Sequence, residues 1–287
     1  LRDNCNDPSR INILTLGGST TDQRYINLED TFQFILQEKI NRYNNLKICV
    51  SNAGIDGHST YGHILSFSKW FPLIDNLNPD IIMLFVGIND ADFVRLKNNK
   101  FNLNSNNDLD SFFKNLNITK FILRLRDIYR GIRNKEAYAN HRKIFYKDSD
   151  YSIQKLNKNT KVLVDKNLIR FRRNLKNLIF ESKKISKHVI CTTQPHRFVL
   201  TKNNVISGIP NVFGQVFSGL DYDYSIRKIN EIIYQECGSK NVIDLYGKNF
   251  VQSDFYDGVH TTAQGSKKIG KILFEEFNKN MYIKFLN

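Results

Sequence analysis

The fold of this chain is decided by the stretch Ile11-Asn12-Ile13-Leu14-Thr15-Leu16-Gly17-Gly18-Ser19-Thr20-Thr21. Its first six residues are mostly apolar and partly β-branched, which is typical of a strand buried in a parallel sheet. Two glycines end this run, and Ser19 follows them directly. A helical pattern comes next, with apolar side chains at Phe32, Ile35, Leu36 and Ile40. The order predicts that Ser19 lies at the carboxyl edge of a sheet, where open α/β folds bind their ligands. A turn that merely connects strand and helix is the alternative.

Four more apolar runs follow, at residues 46–50, 81–86, 188–192 and 241–245. Helical patterns at residues 168–187 and 225–237 lie between them, and a last one contains Ile269, Ile272, Leu273 and Phe277. Strands that alternate with helices predict a parallel sheet covered on both faces. Since no repeat or low-complexity linker interrupts the chain, we expect one α/β domain over residues 1–287.

Residues 95–161 do not follow this alternation and are predicted to form an insertion. Within it, the segment 119–134 has the pattern of a basic amphipathic helix. Phe121, Ile122, Leu125, Ile128, Tyr129 and Ile132 share one arc, and Arg126, Arg130 and Arg133 lie opposite. Such a helix packs on its own domain, forms a lid or lies on a membrane surface.

The charge of the chain is concentrated in one region. Of a net +14, residues 95–187 carry +16, and the rest of the chain carries −2. This predicts an interaction with an anionic glycan or a membrane surface. A surplus of lysine from AT-rich coding is the alternative. No nucleic-acid partner is expected, because no nucleic-acid-binding motif accompanies the charge.

The four cysteines and six histidines show no spacing typical of a metal site, so neither a metal nor a cofactor is expected. Cys49 and Cys191 lie in apolar runs and are predicted to be core residues, whereas Cys5 and Cys237 are candidates for a disulfide. No apolar run approaches the length of a membrane span, and no signal peptide is visible. Because the chain begins at Leu1, a signal or anchor upstream is possible, and an extracytoplasmic or membrane-anchored location is favoured over the cytoplasm.

Two further motifs carry chemistry. Asp257-Gly258-Val259-His260 precedes the last helical pattern, where a carboxylate can orient an imidazole whose other nitrogen faces a serine hydroxyl. Gly54 follows the second apolar run and Asn89 the third. A backbone N–H at a glycine and a carboxamide N–H are suitable donors to the oxyanion of acyl transfer.

The joint order of these motifs resembles the SGNH (GDSL) hydrolase family: Gly-Ser after the first strand, Gly after the second, Gly87-Ile88-Asn89-Asp90 after the third, and Asp-x-x-His before the last helix. The resemblance implies a flavodoxin-like three-layer αβα sandwich with a five-stranded parallel sheet. It implies a catalytic triad of Ser19, His260 and Asp257, with an oxyanion hole formed by Ser19, Gly54 and Asn89. The usual Gly-Asp-Ser of the family is Gly17-Gly18-Ser19 here, which suggests a branch away from the typical lipases.

The residues around this site favour a small polar substrate. His58, His196 and Arg197 are candidate substrate-binding residues, although each is equally compatible with a surface role. The expected activity is hydrolysis of a small acyl ester, and the favoured substrate is an O-acetyl group on a carbohydrate. An O-acyltransferase, the soluble part of a glycan acetylation system, is one alternative, because the same residues serve both reactions. A glycan- or membrane-binding module without turnover is another.

Overall fold

In a computed structural model, the described residues are 10–44, 47–93 and 144–279. Five strands form a parallel sheet in the order β2-β1-β3-β4-β7. They are β1 (Ile11–Gly17), β2 (Ile48–Gly54), β3 (Ile81–Phe85), β4 (His188–Thr192) and β7 (Val242–Ile243). In the central register, Ile13 pairs with Val50 on one side and with Ile81 on the other. The predicted α/β class and the five-stranded parallel sheet are therefore confirmed.

Helices cover both faces of this sheet. The described helices are α1 (Ser19–Asp22), α2 (Phe32–Asn44), α3 (Thr60–Lys69), α4 (Thr160–Ile185), α5 (Gly219–Cys237) and α6 (Ala263–Lys279). The helical patterns predicted from the sequence correspond to α2, α4, α5 and α6. Both α4 and α5 begin earlier than their apolar spacing indicated, at Thr160 and Gly219.

The core consists of two apolar clusters, one on each face of the sheet. On one face, Ile13 and Phe85 pack against Phe32 of α2 and Phe277 of α6. On the other, the alternate strand residues Leu14 and Leu84 pack against side chains of α4 and α5. Because both faces are buried, the strands read as continuous apolar runs rather than alternating ones. Each run ends where the chain reaches the same edge, and that edge carries the site.

The sequence analysis did not predict a small β-hairpin. β5 (Val199–Lys202) and β6 (Val205–Gly208) form a separate antiparallel pair. Asn203 and Asn204 connect them with φ angles of 48° and 62°. Asparagine tolerates this left-handed region, and a two-residue turn of that kind matches the twist of a hairpin. The pair of asparagines between two β-branched runs was the signal that could have revealed it.

Cys5 and Cys237, the two candidates for a disulfide, do not pair with each other. Cys237, at the end of α5, forms a disulfide with Cys191 of β4, and 46 residues separate them. Cys191 is buried as predicted, but its sulfur is bonded rather than a free thiol in the core. Cys49 is disulfide-bonded as well. The spacing of cysteines along a chain does not fix which of them meet, because connectivity depends on the fold.

The predicted helix at 119–134 lies outside the described residues, as does most of the 95–161 insertion. Its last part is described and contacts the main domain, since the backbones of Ser152 and Gly208 bond to each other. Among the helices that the structure describes, none combines the length and the apolar character needed to cross a bilayer.

Candidate active site

Ser19 is the first residue of α1, immediately beyond the end of β1. The carbonyl of Gly18 accepts hydrogen bonds from the N–H groups of Thr21 and Asp22, which starts this short helix. The N–H of Ser19, being in the first turn, has no acceptor within the helix. Neither glycine before it tolerates a side chain. A Cβ on Gly17 would clash with the carbonyl of Phe85, and one on Gly18 with the amide of Asn89. Glycine at position 18 thus leaves room for the amide of Asn89 beside it.

His260 connects Ser19 to Asp257. Its Nε2 lies 2.7 Å from the Oγ of Ser19, and its Nδ1 lies 2.7 Å from Oδ2 of Asp257. All three residues are buried. Ser19 and His260 are 241 positions apart in the chain, so only the fold brings them together. The structure thus unites the three residues that the sequence analysis grouped as a triad.

The loop of residues 257–260 keeps Asp257 ionised and aimed at the imidazole. Burial alone would raise the pKa of this carboxyl, but the hydrogen bond and charge of His260 and the backbone N–H groups of His260 and Val259 outweigh it, and the pKa is lowered. Both N–H groups donate to Oδ1, at 2.7 and 2.8 Å, which leaves Oδ2 for the ring. With the carboxylate on Nδ1, the other ring nitrogen, Nε2, is the one that faces the hydroxyl of Ser19.

Asn89 approaches the same point from the end of β3. Its Nδ2 lies against Gly18 and donates a hydrogen bond of 3.0 Å to the carbonyl of His58. A carboxamide has two N–H groups, so one remains beyond this bond. The neighbouring Asp90 accepts from both the N–H and the hydroxyl of Thr60, which fixes the start of α3. Together Asn89 and Asp90 hold the loop between β2 and α3 against the nucleophile.

Gly54 does not lie where the predicted oxyanion role requires. Its N–H donates to Oδ1 of Asn52 at 2.8 Å, and its Cα packs on the backbone of Thr21 and Asp22. Three residues later, Gly57 has a φ of 75° and precedes His58, whose carbonyl contacts Asn89. The sequence alone does not show which of the two glycines in this turn has the oxyanion role. The structure separates them, because the first packs under α1 and the second immediately precedes His58, whose carbonyl accepts from Asn89.

The three candidate substrate-binding residues have different environments. The side chain of His196 is 2% exposed, with Nε2 3.2 Å from Oδ1 of the buried Asp223. The ring of His196 is therefore held within the fold, and its contact with substrate stays a prediction. Arg197 is half-buried: its N–H donates to the carbonyl of Gly258, and its guanidinium lies 6.0 Å from the ring of Tyr151. The ring of His58 packs on α3, against Gly62.

Gln23 is a site residue that the sequence analysis missed. It follows α1 with a φ of 49°, a strained conformation for a residue with a side chain. Its buried amide donates to the hydroxyl of Thr261, the residue after His260, at 3.0 Å. Its carbonyl oxygen accepts from the N–H of Phe32 and the hydroxyl of Ser266. Gln23 thus ties α1, which carries Ser19, to the loop that carries His260.

Comparisons with known proteins support the fold. No family model matches the chain, and no curated protein matches it. Among solved structures, a lipase from a goat rumen metagenome is similar with a TM-score of 0.53 and 13% identity, over 93% of this chain and 97% of that one. A lipolytic G-D-S-L family protein from Veillonella parvula has a TM-score of 0.50 and 15% identity, over 93% and 98%. A catalytic mutant of an acetylxylan esterase from Geobacillus stearothermophilus has a TM-score of 0.50 and 14% identity, over 95% and 94%. The chain therefore has the fold of the GDSL (SGNH) hydrolases.

Proposed function

We propose that this chain, with the fold of the SGNH hydrolases, is a serine esterase that forms an acyl-enzyme on Ser19. One observation carries the proposal. The two ring nitrogens of His260 lie 2.7 Å from the hydroxyl of Ser19 and 2.7 Å from the carboxylate of Asp257. A serine hydroxyl is a weak nucleophile without an adjacent base, and this arrangement supplies one that is itself oriented by a carboxylate.

The reaction then proceeds in two halves. Ser19 Oγ attacks the ester carbonyl while Nε2 of His260 takes its proton, and Asp257 stabilises the resulting imidazolium. As the tetrahedral intermediate collapses, the proton on Nε2 passes to the leaving alcohol. Water next attacks the acyl-enzyme, gives its proton to Nε2, and releases the acid, and the proton returns to Ser19. His260 is base and acid in turn, so the protonation state of the enzyme is restored.

The negative charge of the intermediate needs donors that point at the carbonyl oxygen. We assign this role to the N–H of Ser19 and to Nδ2 of Asn89, which lies beside Gly18. Gly57 replaces Gly54 as the second backbone donor, because the N–H of Gly54 is bonded to Asn52, whereas Gly57 lies next to His58 and thus to Asn89.

For the substrate we propose an O-acetyl group on a carbohydrate. Tyr256 stacks parallel to the ring of His260, with the two centroids 5.5 Å apart. Burial, and then the charges of Asp257, Tyr25 and Asp56, raise the pKa of Tyr256, so these polar groups lie near the triad. Hydroxyl and carboxylate groups around a site orient a polar ligand rather than a long acyl chain. The similar acetylxylan esterase is consistent with this class.

The disulfide between Cys191 and Cys237 favours an oxidising compartment as the place of action. An extracytoplasmic location, on or near the cell surface, also suits a substrate that is a glycan.

The experiment combines a fluorophosphonate label with acetate release. We expect the wild-type protein to be labelled at Ser19 and to release acetate from acetylated xylo-oligosaccharides and aryl acetate. Ser19→Ala should lose the label and at least about 10³-fold in kcat. Ser253→Ala, which removes an exposed serine from the loop before His260, is the matched control and should retain both.

Esters of increasing acyl length test the substrate class. Activity that falls from acetyl to octanoyl supports the O-acetyl proposal, and the reverse order contradicts it. Full labelling of Ser19→Ala would overturn the assignment of the nucleophile. Added acceptor alcohols distinguish hydrolysis from transfer: acetylated alcohol formed in preference to acetate would identify an acyltransferase with the same triad.

A further inference from the structure

The outward face of α4 carries a row of apolar side chains that the domain core does not use. Val162, Ile169 and Phe180 are 56%, 77% and 61% exposed. They are spaced by 7 and 11 residues, so at 3.6 residues per turn they fall within about 20° of one another around the helix. Cationic residues lie between these apolar residues and just beyond Phe180, all within about 40° of the same line along the helix. We call the whole row the outer stripe: Val162, Lys166, Ile169, Arg173, Lys176, Phe180 and Lys184.

The opposite face of α4 explains why the helix folds, but not this row. Phe171, Leu175 and Leu178 are fully buried against the sheet and α5. Isolated apolar residues on a surface are ordinary, and this chain has several, such as Leu73 and Val216. Three aligned on one helix over about 27 Å, with cations between them, form an ordered row. Such a feature indicates a contact surface.

The charge on this face is predominantly positive. Of the eleven exposed residues of α4, six are Lys or Arg and one, Asp165, is acidic. Among the described residues, Lys166 and Arg173 have no acidic side chain within 4 Å, whereas Lys176 lies 3.6 Å from Glu236 and Lys184 2.7 Å from Glu181. The ammonium of Lys184 also lies over the ring of Phe180, 4.5 Å from its centroid. The complementary surface must therefore be anionic.

We propose that the outer stripe docks the protein on the surface of a bilayer that contains anionic lipid. In this arrangement α4 lies parallel to the membrane, its apolar side chains enter the headgroup boundary, and its cations contact lipid phosphates and carboxylates. A bilayer uses both kinds of side chain in the stripe. An acidic polysaccharide would use the cations and leave Ile169 and Phe180 in water. A second copy of the chain would bring like charges together.

The position of α4 relates this surface to the candidate active site. The helix leads into β4 and runs antiparallel to it, so its first turn lies at the edge of the sheet that carries the triad. Asn167 confirms this position, because its amide donates to the backbone carbonyl of Asp90, the residue after Asn89. Docking through the stripe would leave the site beside the lipid surface and open to substrates that lie along it.

The test is co-sedimentation of the whole chain with phosphatidylcholine vesicles with and without phosphatidylserine. We expect binding only when phosphatidylserine is present, and weaker binding as salt rises. Each of the charge reversals Arg173→Glu and Lys176→Glu should lower binding roughly 5-fold or more. The double variant Ile169→Ser/Phe180→Ser should lower it by about 10-fold, because the apolar contact is lost.

Matched controls remove the same side-chain types away from the stripe. Leu73→Ser/Val216→Ser and Lys47→Glu/Lys271→Glu should bind vesicles like the wild-type chain. All stripe variants should keep full activity on a soluble aryl acetate, which shows that they are folded. The proposal is overturned if the stripe variants bind vesicles normally, or if phosphatidylserine has no effect. Binding to an acidic polysaccharide that ignores Ile169→Ser/Phe180→Ser, without vesicle binding, would assign the cations to a glycan instead. Dimers that these two substitutions abolish would assign the stripe to self-association.

Discussion

Two buried aspartates in this chain each face a histidine, at His260 and at His196, yet only one pair is placed for chemistry. Asp257 receives Nδ1 of His260 and leaves Nε2 for Ser19. Asp223 faces Nε2 of His196, while Nδ1 of that ring accepts the N–H of Phe198. Both rings are thus oriented by a carboxylate. In the second pair, however, the other nitrogen is used by the backbone and meets no nucleophile.

The surroundings of the second pair show what it does. Asp223 also accepts from the hydroxyl of Tyr246 and from Nε of Arg227, each at 2.8 Å. Burial would raise the pKa of this carboxyl, but these partners and His196 lower it, so it remains ionised inside the fold. The cluster joins α5 to the loop after β4. A His–Asp pair therefore indicates a catalytic base only when the remaining nitrogen is left to a substrate or a nucleophile.

Neutralising each aspartate in turn should separate the two roles and gives the largest effect. Asp257→Asn should lower kcat for aryl acetate by roughly 10³-fold or more, because the imidazole loses its orientation and its counter-charge. Asp223→Asn should leave kcat within about threefold but cost about 2–3 kcal/mol of unfolding free energy, because a buried carboxylate loses its charge-assisted hydrogen bonds. Steady-state kinetics and urea unfolding on both variants measure this. Equal kinetic losses would erase the distinction.

Asn89 lies at the site of the first pair, that of Asp257 and His260. Its substitution tests the assignment of the oxyanion donors. Asn89→Ala should reduce kcat by about 10²–10³ and leave KM nearly unchanged, because the lost donor acts on charge that develops in the transition state. The variant Asn230→Ala removes another buried asparagine, which contacts the backbone at Gln194 rather than the triad, and is the control. An unchanged kcat in Asn89→Ala would exclude the side chain from this role.

A third buried histidine has no carboxylate and should respond to pH instead. Burial, and then the neighbouring His58, lower the pKa of His63 to about 3. In the unfolded chain His63 binds a proton once the pH falls below its ordinary pKa, whereas in the folded chain it does not. The stability that this group contributes is therefore present above about pH 6.5 and declines below it. We expect a loss of about 2 kcal/mol on going to pH 5, which His63→Leu should abolish and His188→Leu should not. Unfolding curves across this range would show whether the slope persists.

Gln23 gives the smallest effect and tests how the first pair is positioned. Gln23→Gly relieves the left-handed backbone but removes the link to Thr261, so kcat should fall about 10-fold while KM changes little. Asn76, exposed and with a φ of 56°, offers the matched control, because Asn76→Gly relieves the same kind of strain away from the site. A normal kcat in Gln23→Gly would reduce the bridge to a structural contact.

Much of the fold was predictable because buried residues recur along the sequence with the pattern of a strand or a helix. The runs that became β1, β3 and β4 are continuous and apolar, and Phe32, Leu36 and Phe277 recur at helical spacing, since each must reach the core. The hairpin of β5 and β6 was missed because its strands are short and largely exposed, so little apolar pattern marks them. The sequence analysis predicted β7 at residues 241–245, which is longer than the strand is, because only two of these residues pair in the sheet.

The site was predictable only in part. Ser19, Asn89, Asp257 and His260 stand next to strand ends or helix starts, and their residue types suit one reaction. The choice between Gly54 and Gly57 depends on their positions in the fold, which the sequence does not record: the N–H of Gly54 donates to Asn52, and Gly57 precedes His58, whose carbonyl binds Asn89. The roles of His196 and Gln23 likewise depend on partners far along the chain, Asp223 and Thr261.

The sequence by itself determined the class of fold, the order of the sheet's strands along the chain and the four residues at its edge, because these follow from local pattern and residue chemistry. Only the tertiary structure decided that Nε2 of His260 reaches Ser19, that Cys237 bonds to Cys191, and that His196 serves the scaffold. The physical reason is the same in each case. A hydrogen bond, a disulfide or an ion pair depends on distances of a few ångströms between residues that the chain itself keeps far apart.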